Sequence, residues 1–427
     1  MSGHAADRVV AMLEAVAGAP SPVQVRAWDG SQAGPRSAPL LIMNNRRAIR
    51  RLVRRPGELG IARAFVAGDL DLGGDLVETL TRLAEAGRRI GRRPQLTVGR
   101  RWTLLRQALL LGALGPMPPV PAEEVVLSGR KHSPARDRAA ISHHYDVGNE
   151  FYRLLLGPTL VYSCAYWRRP DDPGYGLDDA QRDKLDLVCR KLGLRPGMRL
   201  LDVGGGWGSL ALHAARTYDA RVVMITLSGA QVETARRRVA EAGLQGRVEV
   251  RLQDWRDVDE APFDAIASVG MAEHVGQEVF ADYAAQLYRQ LRPGGRLLNH
   301  QIARGPGPTP TERTFIDAYV FPDGDLLPLA TVVDALERAG FEVRDVQGLR
   351  EHYTRTLRSW VGNLEAGWDD CVRLTSIGRA RVWHLYLALS VLGFESGLLR
   401  IHQTLAVRPY DDGRSGIDPV RENWLSG

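Results

Sequence analysis

Between Leu185 and Ile302 two kinds of hydrophobic pattern alternate along the chain. Leu185, Leu187, Val188 and Leu192 line an amphipathic helix that Gly193 ends, and Leu200, Leu201 and Val203 then form a short apolar run bounded by glycine. The first pattern has the helical period; the second suits a strand buried on both faces. The alternation repeats. Residues 220–239 read as a second strand and helix, residues 247–258 carry a third strand, and residues 263–270 a fourth strand followed by a helix. Residues 296–303 make a fifth strand, with Arg292-Pro293-Gly294-Gly295 as the turn before it. Strands alternating with helices predict an α/β fold built on a Rossmann-like sheet. Beyond it lie a segment broken by Pro and Gly, another helix and strand, and a nearly all-apolar helix with a closing strand over residues 382–407.

The front of the chain is patterned differently. Val9, Val10, Leu13 and Val16 mark a helix closed by Gly18, Pro20 and Pro22. Arg46, Arg50, Arg54 and Arg47, Arg51, Arg55 then fall at i, i+4 as a double stripe, with Ile49, Leu52 and Val53 on the opposite face. Such a helix suits an anionic lipid surface, and equally a solvated face on a packed helix. A nucleic-acid patch is the weaker third reading, because the segment offers no aromatic to stack on a base. Residues 63–85 place an acidic turn with Gly68, Gly73 and Gly74 before a further helix, and residues 87–138 read as a basic, loop-rich linker with a helix inside. The division expected is a small, mainly helical basic domain with its linker over residues 1–125 and a catalytic domain over residues 126–427.

Charge supports that division. Residues 1–140 hold 22 lysines and arginines against 12 acidic residues, whereas the remainder holds 34 against 38, so the excess of positive charge lies at the front. Only Lys131, Lys184 and Lys191 are lysines, a bias that by itself inflates every arginine cluster. Cys164, Cys189 and Cys371 are too few and too scattered for a disulfide framework or a zinc site, so a reducing cytoplasm is expected and no metal is indicated. Asp7 and Glu14 interrupt any N-terminal apolar segment, and no run of apolar residues is long enough to span a bilayer.

The chemistry centres on Arg199–Ser209, RLLDVGGGWGS. Gly204, Gly206 and Gly208 remove side chains where a backbone approaches a ligand, and they aim amides and a helix N-terminus at it. With Asp202 they spell D-x-G-x-G-x-G, which resembles the first motif of S-adenosylmethionine (SAM) methyltransferases. A dinucleotide fingerprint wants G-x-G-x-x-G instead, which leaves NAD as the alternative. Met271-Ala272-Glu273-His274-Val275-Gly276 follows the fourth strand, and His300 and Ile302 end the fifth. Strand C-termini are where open α/β sheets bind ligands.

Several strings then resemble one family. Gly68-Asp69-Leu70-Asp71-Leu72 between helices, His144-Tyr145-Asp146-Val147-Gly148-Asn149, Tyr162-Ser163-Cys164-Ala165-Tyr166-Trp167, and His352-Tyr353-Thr354-Arg355-Thr356-Leu357 are similar to segments of the cyclopropane-fatty-acyl-phospholipid synthases and mycolic acid cyclopropane synthases. Thr226 stands where most Rossmann-like sites have an acidic residue, as it does in that family. The resemblance implies a SAM-dependent methyltransferase domain in which Tyr162, Ser163, Asp202, Gly204, Gly206, Gly208, Thr226, Leu227, Ser228 and Gln231 bind SAM, and Gln253 and Asp254 meet its adenine end. It further implies a bound bicarbonate as base, held by Cys164, Glu273, His300, the Ile302 backbone and Tyr353. The expected reaction transfers the SAM methyl to a double bond of a phospholipid acyl chain, closing a cyclopropane or leaving a methylene that a partner reductase could saturate.

Tyr145, Tyr166 and Trp167 are candidates to stabilise the cationic intermediate. Ser390 stands where family members often carry cysteine, which argues against an obligatory thiol there. The expected setting is cytoplasmic, peripheral on the inner face of an anionic membrane, with a homodimer left open and no nucleic-acid partner. The alternative is a SAM-dependent methyltransferase acting on RNA or another non-lipid substrate.

Overall fold

The computed structural model describes residues 3–90, 97–125, 136, 147–306 and 313–425, which fall into two compact units. Tyr145 and the histidine pair before it lie outside the described residues.

The larger unit runs over residues 127–308, 321–367 and 393–427. Its sheet has the strand order β10-β11-β9-β8-β5-β6-β7. These strands are β5 Arg199–Val203, β6 Arg221–Thr226, β7 Val248–Leu252, β8 Phe263–Val269, β9 Leu291–Arg304, β10 Glu342–Gly348 and β11 Leu399–Val407. β7, β6, β5, β8 and β9 are mutually parallel, and β11 runs antiparallel between β9 and β10. Alternate residues serve opposite layers: Leu200, Met224, Leu298 and Leu405 pack into one core, Leu201, Ile225, Leu297 and Ala406 into the other. Burial on both faces is why these strands read as continuous apolar runs. Helices α6 Asn149–Leu156, α7 Leu177–Leu192, α8 Ser209–Thr217, α9 Gly229–Glu241, α10 Phe280–Gln290, α11 Leu329–Arg338 and α12 Arg350–Ala366 complete the unit. The turn expected at Arg292–Gly295 lies inside β9, where Leu291 pairs with Phe263 and Arg296 with Ala265. The register shift absorbs the Pro-Gly-Gly, and the Gly294 N–H donates to the Arg408 carbonyl at 2.7 Å.

The smaller unit holds residues 1–126 together with 309–320 and 368–392. Helices α1 Ala5–Ala17, α2 Arg47–Arg54, α3 Glu58–Val66, α4 Leu76–Ile90 and α5 Val98–Leu110 accompany a four-stranded sheet of β1 Gln24–Arg26, β2 Gln32–Ala33, β3 Leu40–Met43 and β4 Leu70–Leu72, in the order β2-β1-β3-β4. The acidic turn of the sequence reading is therefore in part a strand, with Leu70 to Leu72 pairing antiparallel with Met43 to Leu41. Polar anchors tie in the later segments. Glu124 accepts both guanidinium bonds of Arg63 at 2.7 Å and one from the Tyr319 hydroxyl, while Arg381 donates to the Phe65 carbonyl and lies over its ring.

The arginine stripe is not one free surface. Asp69 is fully buried and accepts from Arg51, itself only 6% exposed, and from Arg47 and Asn45. Arg50 donates to the Gly112 carbonyl. Arg46, Arg54 and Arg55 are the exposed remainder, together with Val53, which the sequence reading had placed on the inner face. Asp69 competes for the stripe because its own buried charge needs a cationic partner.

Candidate active site

β5 delivers its chain to a turn that only glycine tolerates at several points. Gly204, Gly206 and Gly208 have φ of 74°, 58° and 83°, and the Gly204 and Gly205 amides both donate to the Ile225 carbonyl. A Cβ on Gly206 would meet no protein atom within 4 Å, so the space over it is open. Gly205, passed over in the sequence, is held for packing: a Cβ there would lie 2.4 Å from Met224 and 2.7 Å from an Asp202 oxygen.

This loop floors a cavity that is open in part to solvent. Of the residues assigned to the cofactor, Tyr162, Ser163, Asp202, Gly204, Gly206, Thr226, Leu227, Gln231 and Gln253 line it. Three do not reach its wall. Gly208 forms the left-handed N-cap of α8, Ser228 caps α9 by accepting from the Gln231 amide, and the Asp254 carboxylate accepts from the amide and guanidinium of Arg256. Thr226 donates to Gln231 Oε1 at 2.7 Å, which turns the latter's amide group about a fixed point. Lys184, Trp207 and Trp255 also line the cavity without having been assigned a role from the sequence, as do Met271 and His274 of the string after the fourth strand. Asp202 is buried, one of its oxygens has no hydrogen-bond partner, and burial pushes its carboxyl up to about 7, tempered by Lys184. Open space over the glycines and an unpartnered carboxylate beside them fit the amino-acid end of SAM.

A second cluster is assembled by a relay of backbone contacts. The Ile302 amide donates to Glu273 Oε1 at 2.8 Å; Ile302 pairs across the strands with Ile401, whose carbonyl accepts from the Leu349 amide. The Leu349 carbonyl in turn receives the Tyr353 amide and lies 3.7 Å from the Cys164 sulfur. His300 is two residues before Ile302 on the same face of β9. Glu273 and Ile302 are thus in direct contact, Cys164 and Tyr353 share the Leu349 carbonyl, and the two pairs are joined through the Ile401 backbone.

The cluster is dry and under-satisfied. Burial raises Glu273 to about 7, and Oε2 has no partner. Both ring nitrogens of His300 lack partners, and burial with the nearby Lys184 and Lys191 holds its pKa well below the usual imidazole value. The imidazole is neutral, with one donor and one acceptor available. Burial likewise pushes the Cys164 thiol up, so it remains protonated, and its S–H donates to the Ala165 carbonyl at 3.2 Å. Unsatisfied buried polar atoms of this density call for a ligand with several oxygens, and a small oxyanion fits.

Two of the candidate aromatics fall among the described residues. Tyr166 stacks near His352, and the Trp167 indole donates to Thr356; neither lines the cofactor cavity. Tyr162 and Tyr353 instead both contact Trp360, at 5.3 and 6.0 Å between centroids, and Tyr353 lies 4.7 Å from Phe394. Trp360 had no signal in the sequence beyond its place on an amphipathic helix.

The family model for mycolic acid cyclopropane synthetase matches residues 132–404. The chain belongs to the cyclopropane synthase family of SAM-dependent methyltransferases. It is 39% identical to a "Probable fatty acid methyltransferase" of Mycobacterium tuberculosis, covering 94% of this chain and 95% of that one. A "Probable fatty acid methyltransferase" of Pseudomonas putida is 39% identical over 94% and 96% of the two chains. The cyclopropane-fatty-acyl-phospholipid synthase of Escherichia coli is 36% identical over 63% of this chain and 68% of its own. Among solved structures, cyclopropane synthase MmaA2 of M. tuberculosis superposes with a TM-score of 0.60 at 33% identity, over 63% of this chain and 98% of its own. Mycolic acid cyclopropane synthase CmaA1, complexed with S-adenosylhomocysteine (SAH) and CTAB, gives 0.59 at 35%, over 63% and 97%. The family match thus runs over residues 132–404, and the two fatty acid methyltransferases match along 94% of the chain.

Proposed function

We propose that this synthase-family enzyme transfers the SAM methyl to a double bond in an unsaturated acyl chain of a membrane phospholipid, followed by loss of a proton. The observation that carries this reading is the pair of buried groups Glu273 and His300, whose Oε2 and ring nitrogens lack partners, in the same unit as the glycine-loop cavity. An alkene is a weak nucleophile, so the protein's share of the reaction is alignment, exclusion of water and removal of the proton from the cation that results. Tyr162, Tyr353 and Trp360 supply π faces for that cation.

Bicarbonate, when bound, supplies a weak base inside the dry cluster. His300 can donate to such an anion, and Glu273, fixed through Oε1 by the Ile302 amide, has Oε2 free to accept its proton. Loss of the proton from the added methyl gives a cyclopropane; loss from a neighbouring carbon gives a methylene branch, which requires a separate reductase to become a methyl branch.

The membrane part of the reading is supported by α5. Val98, Trp102, Leu105 and Leu109 recur on one helical face and are 71%, 67%, 52% and 45% exposed, while Ala108 and Leu111 face inward. Arg101 and Arg106 flank this ridge and are exposed. An apolar ridge between arginines suits the interface of an anionic bilayer. Among the described residues no helix is long and apolar enough to cross a membrane. Incubation with labelled SAM and phosphatidylglycerol vesicles of unsaturated acyl chains, followed by lipid mass spectrometry, tests the reading. Label in the acyl chain supports it, and label confined to a headgroup or to added RNA defeats it.

A further inference from the structure

Two of the three lysines in the chain lie on α7, and both are buried: Lys184 is 1% exposed and Lys191 is fully enclosed. Their partners differ. Lys191 forms an ion pair with Asp345 at 3.1 Å. Lys184 has no carboxylate within ion-pair distance among the described residues; its Nζ meets only the Ser163 hydroxyl, at 2.8 Å. Asp202, equally buried, keeps one oxygen without a partner. Both side chains line the cavity above the glycine loop.

A buried ammonium satisfied by a single hydroxyl is costly, and so is a buried carboxylate left half-satisfied. Opposite charges that share one cavity without pairing to each other match a ligand that carries both charges itself. The free α-amino acid end of SAM is such a group, with a carboxylate and an ammonium on one carbon. The geometry points to Lys184 as the counter-charge for the cofactor's α-carboxylate, shared with the Ser163 hydroxyl, while Asp202 serves its α-ammonium. This rests on the cofactor reading of the cavity and is independent of which acyl substrate is used. The alternative site for the ammonium's anion is the Glu273–His300 cluster. Cys164, Glu273, His300, Ile302 and Tyr353 do not line the cavity that Lys184 and Ser163 share, which favours the cofactor.

The test is a comparison of two ligands by calorimetry on the full-length protein. SAH carries the amino acid end; 5′-methylthioadenosine keeps the adenosine and sulfur but lacks it. Lys184→Met preserves the apolar stem and removes the charge. SAH affinity should fall at least tenfold in the variant while methylthioadenosine affinity stays within about twofold of wild type. Equal losses for both ligands would make Lys184 a structural residue and overturn the assignment, as would unchanged SAH binding with altered bicarbonate stimulation of turnover. Wild-type protein that binds neither ligand would overturn the cofactor reading itself, and the proposal with it.

Should the variant not fold, wild-type protein provides a second readout. Burial lowers Lys184 to about 8, so at pH 8.5–9 a carboxylate ligand must draw a proton onto it. The groups around it are Cys164 and Cys189, both raised by burial, Asp202 at about 7, and neutral His300. Heats measured in buffers of different ionisation enthalpy should show more proton uptake with SAH than its own α-amine accounts for, and none with methylthioadenosine. Equal uptake for the two ligands, or uptake with SAH no greater than its amine accounts for, would overturn the proposal.

Discussion

Replacing Glu273 by Gln should make the enzyme more stable and nearly inactive. Burial raises this carboxyl from an ordinary 4.5 to about 7. Each unit corresponds to 1.36 kcal/mol, so ionising Glu273 in the folded state costs roughly 3 kcal/mol more than in the unfolded chain. The sign follows from proton binding. The folded protein holds the proton more tightly, so the carboxyl's contribution is complete below about pH 4.5 and is lost as pH rises through 7. Gln keeps Oε1 for the Ile302 amide and cannot ionise. The stability of Glu273→Gln relative to wild type should therefore increase by roughly 3 kcal/mol between pH 4.5 and pH 8, read from urea midpoints at each pH. Other titrating groups are common to both proteins and cancel in the difference. Turnover at pH 7.5 should fall by about a hundredfold or more, with SAH affinity unchanged. Parallel stability profiles for the two proteins would show that Glu273 is solvated and that the dry cluster is drawn wrongly. A stabilised variant with wild-type turnover would keep the burial and remove the catalytic role.

Gly206→Val introduces a β-branched side chain at a φ of 58° and fills space that no protein atom occupies, so SAH affinity should drop more than tenfold while circular dichroism stays native. Asp69→Ala leaves the buried Arg51 guanidinium without its counter-charge and should destabilise the smaller unit by about 3–5 kcal/mol, whereas Arg54→Gln, at an exposed position, should change stability by less than about 0.5 kcal/mol; thermal melts separate the two. Trp102→Ser with Leu105→Ser should weaken co-sedimentation with anionic vesicles at least tenfold even in high salt, because the lost term is apolar. Arg101→Gln with Arg106→Gln should matter only at low salt, and binding that none of these changes alters would remove α5 from the membrane contact.

The larger unit was legible because each of its layers leaves a local signature. Leu200 and Leu201 facing opposite cores give the unbroken apolar run, and glycines at positive φ give the loop. The sites after β8 and β9 could be placed from the same pattern, since strand ends converge wherever the sheet is parallel. What stayed hidden depends on contacts between distant positions. Asp69 draws Arg51 inward, so a stripe that looked uniform divides into a buried ion pair and an exposed remnant. The segments 309–320 and 368–392 join the smaller unit through bonds such as Tyr319 to Glu124 and Arg381 to the Phe65 carbonyl, neither of which has a sequence period. Lys184 shows the limit in another form. Its scarcity in an arginine-rich chain was visible, but its meaning depends on the absence, among the described residues, of an ion-pair partner, which only the packing of α7 against β8 and β9 and the Lys184–Ser163 contact reveal. Asp254 gave no sign in the sequence that Arg256, two residues later, would pair with its carboxylate.

The central claim is that a carbon from SAM is added to an acyl double bond by the site that contains Glu273. The most direct measurement uses purified enzyme, SAM labelled in its methyl group and unsaturated phosphatidylglycerol vesicles, with mass spectrometry of the released fatty acids. The account predicts that the acyl chain gains one labelled CH2 at the position of its double bond, that bicarbonate depletion suppresses the gain and its restoration recovers it, and that Glu273→Gln yields none while still binding SAH. Label that appears outside the acyl chain, or an unaltered yield from Glu273→Gln in bicarbonate-free buffer, would contradict it.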